Sequence, residues 1–102
     1  MNINRDQVKK TYGNLFFAIS NALFQADPIG INCKTNTDEY DPETGTIIPR
    51  LKAANTAQDV QAIVYEEFNN WFGADTAGSQ QQYEAVSLKI WELWNEFQHN
   101  QN

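Results

Sequence analysis

Few of the residues that usually announce chemistry are present: the 102 positions hold one cysteine, Cys33, one histidine, His99, three prolines and seven basic residues. A lone thiol closes no internal disulfide and cannot make a metal-spaced cysteine cluster. For nucleophilic catalysis Cys33 has only His99 as a base, far along the chain and near its end. There is no glycine-rich phosphate loop, and nothing marks two of the many carboxylates as an acid–base pair. The reading is therefore no enzyme and no cofactor. No apolar run approaches the roughly 18 residues that span a bilayer. The opening MNINRDQVKK lacks the unbroken apolar stretch of a secretion signal, so a cytoplasmic location is expected. Seven bases against thirteen acids leave a net charge of −6, which disfavours phosphate backbones and anionic lipid; neither nucleic acid nor membrane is expected as a partner.

What is there suffices to fold. Apolar residues make up 41% and aromatics 13%, ordinary for a globular chain, and the length suits one domain, 1–102. At about 100° per residue, Val8, Tyr12, Leu15, Phe16, Ile19, Leu23 and Ala26 share one face of a first helix, 4–26, capped by Asn4 and stopped by Asp27-Pro28. Phe17 and Phe24 fall nearly opposite. That helix is either sandwiched or meets another chain, so the protein is a monomer or a homodimer through Phe17 and Phe24. A short, bent second helix is expected over 42–53, because Pro42 suits a first turn and Pro49 interrupts an interior. Thr56 with Asp59 begins a third helix, 57–72, and Ser79 with Gln82 a fourth, 80–98, joined by a mobile linker. No run alternates convincingly enough for a strand. The fold class is all-α, a small four-helix bundle-like domain with a long irregular loop, 27–41, between the first two helices.

Two side-chain groups leave their stripes. Glu67 stands about 60° from the line Ala57, Val60, Val64, Phe68 and Trp71, and at that shoulder it needs a donor; Arg50, Lys52 and the Tyr40 hydroxyl are the candidates. Glu66 points to water. Leu88 and Trp91 lie off the fourth helix's line, and either cover a neighbouring loop or anchor a partner.

The run from Asp27 to Arg50 holds every proline and sets Asp27, Asp38, Glu39, Asp41 and Glu43 against only Lys34 and Arg50. Loops of such length are usually functional or disordered. Asp27 before Pro28 can bond turn amides, Gly30 can take a positive φ, Tyr40 can bury its ring with the hydroxyl paired, and Asp41 can cap the second helix. This leaves Asp38, Glu39 and Glu43 as exposed charge. Asn36, Asp38, Asp41 and Glu43 could gather a cation, but their spacing misses that of an EF-hand and the turn glycine is absent, so no metal is assigned. Glu96 and His99 have the spacing of a di-iron pair without the required second pair. A cation- or small-molecule-binding module is the alternative to a protein-binding one, and a self-associating scaffold a third.

The DPIG turn (Asp27-Pro28-Ile29-Gly30), the DEYD segment (Asp38-Glu39-Tyr40-Asp41), then Ile47, Ile48, Leu51, Glu66-Glu67-Phe68 and Trp71-Phe72, resemble a family of small, largely uncharacterised bacterial helical proteins. The likeness covers roughly residues 12–98. It implies a standalone or immunity-type factor that blocks a bacterial toxin, and it implies no reaction. Charge placement is compatible with this: residues 53–102 carry seven acids against Lys89 alone, which suits either attraction to a basic partner or plain solubility. The expected partner surface is Asp38, Glu39 and Glu43 for charge, with Leu88 and Trp91 as anchor; Asp27, Pro28, Gly30, Tyr40, Asp41 and Glu67 are read as structural.

Overall fold

Gly13 divides the first apolar stripe between two helices. The computed structural model describes residues 5–28, 30 and 40–100, the side chains of residues 5 and 6 aside. In it α1 runs Arg5–Tyr12 and α2 runs Asn14–Ala26, instead of one helix over 4–26. Between them Gly13 has φ 51° and ψ −115°, a backbone region reserved for residues without a Cβ. The Gly13 N–H still donates to the Lys9 carbonyl at 2.9 Å, so the register is bent and not lost. At the far end Asp27 adopts the left-handed conformation, φ 46° and ψ 59°, its N–H closing on the Leu23 carbonyl at 2.8 Å. Pro28 then forbids continuation.

The second predicted helix is an α-helix for half its length. α3 covers Asp41–Ile47 and tightens into a 3₁₀ turn over Ile48–Ala53, the change falling beside Pro49, which lacks the N–H an α-helix would use there. α4, Ala57–Phe72, has the predicted bounds. Its cap is Thr56, whose hydroxyl accepts the Asp59 N–H at 3.1 Å, while the Asp59 carboxylate accepts the Asn55 N–H at 2.8 Å. The linker expected to be mobile forms α5, Ala74–Ala77, between Gly73 and Gly78. Ala77 is fully buried, and its carbonyl accepts the Tyr83 hydroxyl and, at 3.0 Å, the Gln82 amide. A 3₁₀ turn, Gln80–Tyr83, carries the reciprocal Ser79–Gln82 cap into α6, Glu84–Asn100.

Packing follows a ring: α2 lies on α6, α6 on α4, α4 on α3 and α3 back on α2, with α1 laid against α3. The described residues contain no strand, and the bundle-like, all-α class holds. Phe16, Leu23, Ile48, Val64, Phe68 and Ile90 are fully buried at the centre, each such side chain contributing about 1.5–3 kcal/mol. On the second face of α2 Phe24 is buried while Phe17 is 56% exposed. Of the two phenylalanines named for a homodimer, Phe17 is the one at the surface. It stands edge-on to Phe16, with the Lys9 ammonium 5.0 Å from its ring centre.

Candidate functional site

The start of α3 is a polar crossing inside the fold. Tyr40 is buried with its ring 5.8 Å from that of Phe68, and its hydroxyl donates to Asp27 Oδ1 at 2.7 Å. Ser20 Oγ donates to Thr44 Oγ1 at 2.8 Å, and Thr44 Oγ1 donates to the Tyr40 carbonyl at 2.9 Å. Lys9 Nζ approaches Asp41 Oδ2 at 3.5 Å. These bonds tie α1, α2 and α3 together and fasten both ends of the long crossover.

Several expectations are corrected here. The Asp27 carboxylate accepts the Tyr40 hydroxyl, an added role, and the Asp27 backbone carbonyl accepts the Gly30 N–H at 3.2 Å. Gly30 has the expected positive φ, 71°. Asp41 is not the cap of α3; Tyr40 holds the cap position, and Asp41 is the first helical residue, turned toward Lys9. Glu43, expected as exposed charge, is only 3% exposed. The first turn of α3 is enclosed by α1, α2 and α4, so its acids face inward and Glu43 leaves the partner surface. Asp38 and Glu39 lie outside the described residues, as do Cys33 and Asn36.

Glu67 finds Arg50, one of its predicted donors: Nη1 meets Glu67 Oε2 at 2.9 Å. Nη2 also meets Glu66 Oε1 at 2.7 Å, so Glu66 is engaged as well as solvated. The hydrogen bond it donates to Glu66 foremost, with the one it donates to Glu67, holds the guanidinium above its ordinary pKa against the opposing cost of burial. This fork clips the 3₁₀ turn to α4 and reads as structural.

The outer face of α6 keeps its apolar anchors. Leu88 is 50% exposed and Trp91 half-buried. Glu84, Leu88 and Glu92 recur at four-residue spacing, so two exposed carboxylates bracket the leucine on one line, with Trp91 about 60° round from it. Glu84 and Glu92 went unnoticed in the sequence, although the i, i+4, i+8 spacing was there to see. Trp71, placed in the stripe of α4, is 46% exposed on its last turn and donates its indole N–H to Thr46 Oγ1 at 3.0 Å.

Among the described residues no three His, Cys, Asp or Glu side chains gather to hold a metal ion. None of the described helices is long and apolar enough to cross a membrane. No family model, no curated protein and no solved structure matches this chain.

Proposed function

We propose that this protein is a non-enzymatic binding factor, most concretely an immunity- or inhibitor-type protein that neutralises a basic toxin domain in the bacterial cytoplasm. The observation that carries this reading is the outer stripe of α6, where a half-exposed Leu88 sits between Glu84 and Glu92 with Trp91 alongside. Interface energy concentrates in such apolar anchors, and flanking charge of one sign speeds encounter with the opposite sign. The net charge of −6 acts in the same direction. Asp38 and Glu39 stay in the proposal as further charge.

The probe is the product of a toxin-like reading frame adjacent to the gene, immobilised and titrated at low and moderate salt. Glu84→Gln with Glu92→Gln is expected to slow association and flatten its salt dependence, and Leu88→Ala to speed dissociation by about tenfold. Kinetics unchanged in both variants would remove the stripe from the interface.

A further inference from the structure

The seam between α2 and α6 is an open groove running along both helices. One stretch, about 560 Å³, lies against Ala22, Val86 and Lys89; another, about 170 Å³, lies against Asn14 and Glu96; Ala18 and Leu93 line both. On the α2 side Asn14, Ala18, Asn21, Ala22 and Gln25 are small or uncharged, which lets another backbone come close. On the α6 side Lys89, Leu93 and Glu96 follow at spacings of four and three, along one line of the helix. Lys89 is the one lysine or arginine in residues 53–102. Neither it nor Glu96 has an ionic partner among the described residues.

We infer that this seam binds a second copy of the chain, its α6 antiparallel to the first. The argument is charge order. Positive and negative ends stand seven residues apart, about 10.5 Å along the helix axis, with Leu93 between them. A two-fold rotation through the middle of that segment sets Lys89 against Glu96 of the partner subunit, and Glu96 against the partner subunit's Lys89. The same complementary contact is made twice, as a closed two-fold interface requires. Leu93 packs near the axis over the small side chains of α2, and Glu92, about 60° further out by helical step, stays at the wet rim. Glu84 and Leu88 stay clear of this contact, so the inference, which does not rest on the partner reading, fails separately from it.

Sedimentation equilibrium of the whole chain from micromolar to millimolar concentration supplies the test. Wild type is expected to dimerise. Lys89→Glu and Glu96→Lys each place like charges together twice and should raise the dimer dissociation constant about a hundredfold, whereas the double exchange restores it. Far-UV circular dichroism checks that all three variants remain folded, which two exposed sites permit. A wild type that stays monomeric throughout overturns the inference, and so does a double variant as weak as the singles. Leu88→Ala should associate like wild type; loss of the dimer there would move the contact to the outer stripe and sink the seam.

Discussion

Tyr83 shows how one buried hydroxyl makes stability depend on pH. Burial, the largest influence, pushes its pKa up to about 12 while it donates to the Ala77 carbonyl. The folded state therefore holds the phenolic proton more tightly than the unfolded chain, whose tyrosine titrates near ~10. The associated stability is whole below that pH and declines as pH rises through about 12. Tyr83→Phe should flatten the alkaline decline in urea midpoints. Its neutral-pH loss should fall within about 0.5–1.5 kcal/mol, since the Ala77 carbonyl keeps the Gln82 amide; an alkaline decline as steep as wild type would refute the assignment. Ser87 is the opposite case, a fully buried hydroxyl without a hydrogen-bond partner among the described residues. Removing it leaves nothing unsatisfied. Ser87→Ala is expected to leave stability unchanged or raise it by up to about 1 kcal/mol, read from the same urea titration, and a clear loss would reveal a partner for the hydroxyl.

At the scale of elements, Gly13 decides where the first stripe bends. A Cβ added there meets no atom within 4 Å, so Gly13→Ala would cost backbone strain alone, about 1–3 kcal/mol in thermal unfolding. A variant as stable as wild type would show that the bend can relax. Thr56→Ala should cost about 1 kcal/mol through loss of the cap on α4. That cap and the Ser79–Gln82 pair were legible in the sequence because both close over three residues, where spacing alone fixes geometry. Arg50 as the partner of Glu67 was legible too, as the donor a carboxylate at the edge of an apolar face must find. The break at Gly13 was hidden, since apolar periodicity runs through it and only the glycine itself gave notice. α5 is one turn, shorter than any period can register. The burial of Glu43 was out of reach for a different reason: its own turn is polar, and what encloses it comes from α1, α2 and α4.

For the whole molecule, the closed ring of α2, α6, α4 and α3 leaves no helix that can depart without exposing core. The radius of gyration, 12.7 Å, is that of a well-packed domain of this length, about 13 Å. Heat should therefore unfold it in one step, with far-UV and near-UV circular dichroism tracing the same curve; separate transitions would mean that α1, attached through Gly13, melts on its own. The three tryptophans sample that ring at graded depths: Trp94 is 3% exposed, Trp91 half-buried beside Leu88, and Trp71 46% exposed with its indole anchored to Thr46. The molecule thus carries its own fluorescent gauge. Acrylamide should quench Trp71 readily and Trp94 hardly at all, and a ligand seated over Leu88 would announce itself as a blue shift in the emission of Trp91, without any dye attached.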